Sequence, residues 1–589
     1  MRKPSSALRL LAILMALGLF AAACGDSGDD GQADDATTTT AGEVATTAPE
    51  DAETTLTTTP PPPPPPVEGP VVGGTLTVGI EADPVGMRPW EDTCSSPCLN
   101  VHLAMFDRLF EKNEDLEIAP WLGLSITPDE TLTVWTVELR EGVTFWDGTP
   151  FNAQTVVDMF AIQQTGAVTG SQIATAQVVS VEATDEFTVV YTLGQGNSGF
   201  PDVLTSVAGR VFEPAAAAAD LDGAASNPMG TGPFQFVSWD RDNQVVLERN
   251  PNYWFSDADG TQLPYLDGLV FRPIPDETTR LNAILAGDID VMQTLRQSTI
   301  RDARESSDTL DMDVFQGPNS GGAIFNTAVP PYDDKRVRQG LAHAINQPAF
   351  IDALGGTGIS DPATQMFSPD SPWYSQEAAD AYPKFDPEAS IAKLTEYVED
   401  PERSDGKAVG EKIDVEFACP PDPTLILLSQ AYKQSWEATG LANVELVQFD
   451  QATHIGRVVG APPDFLGEFQ VSCWRVGDDT DPSISVAPFF SPPDVVPLNF
   501  TNFFDPEAFG LLVAGQSTLD QAERQAAYAA FSLVLADEMP QVYTGYTATA
   551  LATLKSVKNL NGWHTPDGDI GRGHPNAEGR YQEVWIENE

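Results

Sequence analysis

Apolar and polar positions alternate from Gly74 to Ile80, where Leu76, Val78 and Ile80 share one face, and this predicts an opening strand. Leu103, Phe106 and Phe110 then recur at helical spacing, which predicts a helix over Leu99–Phe110. A β-rich section follows. Thr133, Trp135, Val137 and Leu139 line one face of a strand over Thr131–Arg140. Val178–Leu193 reads as two strands around the turn Thr184-Asp185-Glu186. Phe234–Trp239 and Gln244–Arg249 read as a hairpin turned by Asp240 to Asn243.

Beyond Asn326 the period changes from two to nearly four. Val337, Leu341 and Ile345 predict a helix over Arg336–Ile345. A strand over Lys412–Phe417, a helix over Leu425–Thr439 and a strand over Val444–Phe449 make a βαβ unit, and Phe469–Trp474 is a further strand. Thr518 and Gln521 are read as a capping box for a helix whose buried stripe is Tyr528, Phe531 and Leu535, with Pro540 as its stop. Such an order of segments predicts an α/β lobe with parallel crossovers.

The N-terminus lies outside this pattern. Arg2 and Lys3 precede an uncharged apolar run, Leu10–Phe20, too short for a membrane span and suited to a signal peptide. Ala21, Ala22 and Ala23 lead into Cys24, which resembles a lipobox, although the pattern prefers Leu at the first of these positions. Residues 1–24 are thus expected to be a lipoprotein signal peptide with Cys24 as the lipid anchor; cleavage after Ala23 to give a free secreted protein is the alternative. Residues 25–72 are Asp, Thr, Ala and Glu followed by an unbroken proline run from Pro60 to Pro66, a composition that builds no core. The prolines form a rod of roughly 20 Å. The whole tether reaches on the order of 150 Å when extended.

Charge narrows the partners. Lys and Arg number 31 against 86 Asp and Glu, a net charge of −55, so nucleic acid is excluded as a partner on electrostatic grounds. The acidity is compatible with a solvated surface in salty surroundings or with attraction of cationic ligands. Of five cysteines, Cys24 is assigned to the anchor and the even remainder implies two disulfides in an exported chain. Cys94 and Cys98 lie close in a Ser- and Pro-containing loop and are expected to pair, leaving Cys419 with Cys473. A metal site at Cys94 and Cys98 is the rival, and neither a histidine nor a second cysteine pair is evident beside them. No metal and no cofactor is expected.

Four segments carry a resemblance to a known family. Phe106-Asp107-Arg108-Leu109-Phe110 runs through Ala119-Pro120-Trp121-Leu122 to Leu139-Arg140-Glu141-Gly142-Val143-Thr144-Phe145-Trp146-Asp147-Gly148-Thr149-Pro150-Phe151. Gly230-Thr231-Gly232-Pro233-Phe234 leads to Glu248-Arg249-Asn250-Pro251-Asn252-Tyr253-Trp254. Phe325-Asn326 leads to Asp334 and then Arg336 to Asn346; Trp474 with Asp478 to Pro482 precedes the helix ending at Pro540. In this order they resemble the peptide and nickel class of ABC solute-binding proteins, bacterial extracellular family 5.

The resemblance implies an α/β, two-lobed periplasmic-binding-protein-like fold (class II, type C) with an extra β-rich accessory domain. Lobe I would combine 73–116, 228–325 and 541–589; the accessory domain would be 117–227 and lobe II 326–540. The chain would cross between lobes near Gly321-Gly322 and near Pro540, forming a hinge. The implied role is extracytoplasmic capture of a peptide-like solute and delivery to ABC permease subunits, by a monomer touching the membrane only through its lipid anchor.

In peptide-binding relatives an Asp four residues before the Pro of the fourth motif accepts the ligand's ammonium, which here is Asp478. One inserted residue makes Asp479 the alternative. Trp474 is expected beside the ligand or in the core, and Arg475 beside a ligand carboxylate or paired with Asp478 or Asp479. The rival role of Asp478 is a turn or helix cap. From the facing lobe, the loop Thr93 to Pro97, with Cys94, Ser95 and Ser96, is expected to run alongside the ligand, reading its backbone. No nucleophile elbow or zinc-protease motif occurs, and His102, His343, His454, His564 and His574 lack partners at triad spacing, so catalysis is not expected. The alternatives are a non-peptide solute, such as a nickel chelate or an oligosaccharide, and a surface receptor with no transport role.

Overall fold

The computed structural model describes residues 69–587 apart from 93, 167, 422, 460–466, 477–480 and 493–498. Cys24 and nearly all of the tether therefore lie outside the described residues. Strand β1 (Thr75–Ile80) opens the fold, followed by the short pair β2 (Phe110–Lys112) and β3 (Ile118–Pro120). A four-stranded antiparallel sheet comes next. It comprises β4 (Gly123–Pro128), β5 (Val134–Leu139), β6 (Val178–Asp185) and β7 (Thr188–Leu193), in the order β4-β5-β7-β6. Trp135, Val137 and Leu139 are buried, as the alternation predicts.

The main sheet has ten strands and runs through the whole molecule. Its members are β1, β8 (Phe234–Asp240), β9 (Gln244–Arg249), β10 (Gly268–Pro273), β11 (Val291–Thr294), β12 (Leu310–Phe325), β13 (Ile413–Cys419), β14 (Ala442–Gln448), β15 (Val471–Val476) and β16 (Gln541–Leu554). Their order is β14-β13-β15-β12-β16-β11-β1-β10-β9-β8. A last pair, β17 (Val557–Lys558) and β18 (Trp585–Ile586), stands apart. Two hydrophobic cores flank the centre. One joins Leu76, Val78 and Phe271 to Trp135 and Tyr191 of the four-stranded sheet. The other gathers Val337, Phe417, Trp436, Val471 and Phe531. These are the two lobes, with the β-rich addition sharing the first core.

The strand directions place the seam between lobes. β12 and β16 are long antiparallel partners whose early and late portions belong to different lobes. β11 is antiparallel to β16 and parallel to β1, which is parallel to β10. β15 is antiparallel to β12 and parallel to β13. The carboxyl ends of β1, β10 and β11 therefore point toward the second lobe, and those of β13, β14 and β15 toward the first. In open α/β sheets ligands bind beyond such ends. At the crossing, the β12–β16 register shifts between Gln316 and Ser320 and again between Gly321 and Gly322. Gly322 is obligatory there, since a Cβ would lie 1.9 Å from the Val542 carbonyl oxygen.

Several boundaries differ from expectation, each for a local reason. The first helix spans Ser96–Met105, because Pro97 suits its first turn, and Phe106 is already extended; Phe110 opens β2 instead. The helix over Gln521–Glu538 is capped by Asp520, whose carboxylate accepts from the Ala522 and Glu523 amides, while Thr518 bonds Glu523. A carboxylate nearer the first turn displaces the anticipated Thr518 capping box. Tyr528, Phe531 and Leu535 are buried as predicted. Gly230-Thr231-Gly232-Pro233 passes in close contact with the helix end: a Cβ on Gly232 would lie 2.5 Å from Met105 backbone atoms.

Candidate functional site

β15 carries the first group of candidates. Its alternation turns Val471 and Cys473 into the second lobe's core, while Ser472 and Trp474 face the opposite side. There Trp474 packs with Ile324, Phe469 and Phe500, its ring edge-on to Phe500 at 5.3 Å and stacked toward His454 at 6.2 Å. It is half-buried and lines a small apolar cavity with Ile324, Met366, Phe489, Phe500 and Gln541. Trp474 is paired in register with Gly322 and Val476 with Ser320, so β15 ends at the crossing strands. Asp478 and Asp479 lie outside the described residues, as does the Arg475 side chain.

The residue that closes this acidic run went unrecognised in the sequence. Asp481 is buried, caps the short helix Pro482–Ser485 by accepting from the Ser483 amide at 3.0 Å, and forms an ion pair with Arg524. Arg524 in turn covers the Trp373 ring at 4.7 Å. The Asp-Pro step was the available signal, since Asp before Pro is cap chemistry. Next to it, Ser483 donates to Asn197 at 2.8 Å and the Ser198 amide donates to the Gln516 carbonyl at 2.9 Å, tying the β-rich addition to the second lobe.

The loop around Cys94 and the helix that follows it carry the second group. Cys94 and Cys98 lie at disulfide distance, with Cα atoms 5.1 Å apart. Cys419 and Cys473 do too, at 5.4 Å, where parallel β13 and β15 bring them level. Ser95 precedes the helix Ser96–Met105 without a capping side-chain bond. Ser96 is buried: its hydroxyl donates to the Asn576 carbonyl and accepts from Gln293 Nε2 at 2.6 Å.

A histidine does accompany the Cys94–Cys98 pair. His102, one turn after Cys98, places Nε2 3.6 Å from the Cys94 sulfur and 3.7 Å from that of Cys98. The regular four-residue spacing was the missed signal. The ring is nevertheless committed. Its Nδ1 accepts from Arg210 at 3.2 Å, which leaves Nε2 protonated and donating to the Gly86 carbonyl at 3.0 Å. Burial, reinforced by the Arg210 charge, pulls its pKa down to about 3. A neutral ring with no free lone pair, beside a buried guanidinium, does not suit a cation.

A second histidine also has a partner. Ser472 Oγ and His454 Nε2 lie 3.1 Å apart. Both are buried, and burial lowers the His454 pKa to about 4. The pair is enclosed among the described residues, and the other ring nitrogen, Nδ1, has no hydrogen-bond partner among them. His343 Nδ1 lies 2.9 Å from the Lys384 carbonyl, a structural link.

Comparison with known proteins fits this geometry. The family model described as "Bacterial extracellular solute-binding proteins, family 5 Middle" matches residues 117–495, more than half of the chain. The glutathione-binding protein GsiB of Escherichia coli K12 is 26% identical over 299 residues, covering 50% of this chain and 56% of GsiB. The chain thus aligns with only about half the length of the curated relatives it matches. The periplasmic binding protein DppA of Helicobacter pylori, solved with the peptide STSA, superposes with a TM-score of 0.70 at 22% identity, covering 88% of this chain and 99% of DppA. AgaA of A. tumefaciens R10, solved with agropinic acid, gives 0.71 at 22% identity, covering 88% and 99%.

Proposed function

This chain belongs to family 5 of the bacterial extracellular solute-binding proteins, and from that membership we propose that it captures a peptide-like solute between its lobes and delivers it to ABC permease subunits. The observation that carries this reading is the opposition of carboxyl strand ends across the seam, spanned by Arg296 Nη1 donating to Thr424 Oγ1 at 3.4 Å. A solute that touches both lobes favours the closed arrangement by its differential contacts.

In this proposal Asp478, or Asp479 beside it, accepts the ligand's ammonium as a charge-assisted hydrogen bond just past β15. Trp474 offers an aromatic wall, and Arg475 pairs with the acidic turn. The loop holding Cys94 and Ser95 reads the ligand's backbone. Ser96 contributes through its main chain, its hydroxyl being committed elsewhere. Disulfides Cys94–Cys98 and Cys419–Cys473 stiffen both sides before the solute arrives. Lobe I takes 73–116, 228–325 and 541–589, the accessory domain 117–227 and lobe II 326–540, with the seam residues Ala323, Phe325, Val542, Tyr543 and Tyr546 packed on the second lobe's side. Cys24 anchors a monomer to the outer face of the cell membrane, and 25–72 serve as the tether. The protein binds and does not catalyse.

Mass spectrometry of the solute that co-purifies with the chain tests this reading. A set of short peptides is expected; a single non-peptide compound overturns the peptide assignment. The likeness to AgaA keeps a small non-peptide solute as the second reading.

A further inference from the structure

A cavity of about 120 Å³ opens where the loop after β1 meets the segment from Phe212 to Met229. Met87, Trp90, Phe106, Phe212 and Met229 give it an apolar lining, and the Trp90 and Phe212 rings lie 4.3 Å apart between centroids. No lining residue belongs to the second core, so the cavity is separate from the seam. Main-chain bonds tie its frame. The Met87 amide donates to the Ala225 carbonyl at 3.1 Å, and the Glu213 amide to the Met229 carbonyl at 3.0 Å.

Glu213 lines the same space and is 7% exposed. It begins the helix Pro214–Ala219, where its Oε2 accepts from the Ala216 amide. Capping uses that oxygen alone, and capping by itself favours a shorter Asp, Asn or Ser. Oε1 has no hydrogen-bond partner among the described residues, yet it is not sealed into the core. Arg88, on the loop that carries Met87 and Trp90, is held instead by Asp92 at 2.6 Å and by the Leu221 carbonyl at 3.3 Å. Asp220, which ends the helix, also lines the cavity and spends Oδ1 on the Gly223 amide at 2.8 Å. The described lining thus holds two carboxylates and three aromatic rings, and no Lys, Arg or His. A carboxylate oxygen beside such apolar surface is costly until a donor reaches it.

We infer that this cavity is a second ligand site and takes a small alkylammonium, its N–H directed at Glu213 Oε1 and its carbons laid on the aromatic lining. The ammonium satisfies the open oxygen with a charge-assisted hydrogen bond. The ring faces of Trp90, Phe106 and Phe212 favour the same cation over a neutral group. An anion is repelled by Glu213 and Asp220 together. The size fits an occupant of about five to seven non-hydrogen atoms, since a dry cavity of roughly 150 Å³ admits benzene.

The inference does not rest on which solute the seam takes. Its test follows the methionine methyls of the exported chain by carbon-13 NMR during titration with n-butylammonium chloride. Sodium chloride at about 0.5 M screens the acidic surface. The Met87 and Met229 methyls are expected to shift and saturate, while Met366, beside Trp474 at the seam, stays in place. n-Butanol should bind at least about tenfold more weakly, and butyrate should not bind. Glu213→Gln keeps a capping oxygen but turns an NH2 toward the cavity, so it should lose the preference for the ammonium over butanol. Ala216→Leu narrows the space and should weaken both. No shift at Met87 and Met229, or a shift at Met366 in their place, overturns the site. Equal affinity of the wild type for butanol and butylammonium, or an undiminished preference in Glu213→Gln, overturns the assignment to a cation. Should Glu213→Gln fail to fold, the three probes on the wild type decide alone.

Discussion

Asp107 Oδ1 accepts a hydrogen bond from the indole N–H of Trp121 at 2.8 Å, deep inside the first lobe. The same carboxylate accepts from Tyr253 at 3.1 Å, Trp254 at 3.1 Å and Thr231 at 2.9 Å. These donors come from the Ala-Pro-Trp-Leu, Asn-Tyr-Trp and Gly-Thr-Gly-Pro segments, and Asp107 sits in Phe-Asp-Arg-Leu-Phe. Sequence markers scattered over nearly 150 residues are therefore one buried polar hub. Burial raises the Asp107 pKa, and its four side-chain donors oppose the shift.

Asp107→Asn should destabilise the chain strongly. An amide keeps one acceptor oxygen but turns an NH2 toward donors, leaving them unpaired at roughly 1–3 kcal/mol each. Urea unfolding should show a lower midpoint with an unchanged slope. An unchanged midpoint would contradict the hub.

Breaking the Asp481–Arg524 pair should cost about 3–5 kcal/mol in either single variant, because each leaves a buried charge alone. Replacing both, as Asp481→Ala with Arg524→Met, should cost less than the sum. A strictly additive double-mutant cycle would show that the two side chains do not interact.

Opening the Cys419–Cys473 link by replacing both with Ala should cost roughly 4 kcal/mol, since it closes a segment of 54 residues. Loss of the link between Cys94 and Cys98, four apart, should cost less. Peptide mapping under non-reducing conditions should recover both pairs; free thiols at all four positions would contradict the assignment.

The sequence was most informative where burial follows one period. The hairpin around Asp240–Asn243, the parallel β13–helix–β14 unit and the stripe Tyr528, Phe531 and Leu535 all formed as their patterns imply. Helix ends were less legible, because Pro97 and Asp520 act through single side-chain or ring effects that no periodicity records. Partners distant in sequence were hidden altogether. Nothing in the local pattern announces that His102 meets Arg210 or that Ser472 meets His454. The acidic turn at Asp478 and Asp479 was read from resemblance alone, and it lies outside the described residues.

A net charge of −55 implies that the compact state repels itself. Raising sodium chloride from about 0.05 M to 1 M should raise the melting temperature, since the screening length falls from over 10 Å to about 3 Å. Equal melting temperatures at both salt levels would show that the acidic surface carries no such cost.

The central claim is best tested by calorimetric titration of the ligand-stripped chain with a short peptide found in the co-purified set and with its N-acetylated form. If an acidic turn past β15 grips the free amine, the acetylated peptide should bind about tenfold to a hundredfold more weakly. The double variant Asp478→Ala, Asp479→Ala should bind both forms equally weakly. Equal affinity of the wild type for the two peptides, or full affinity in the double variant, would contradict the account.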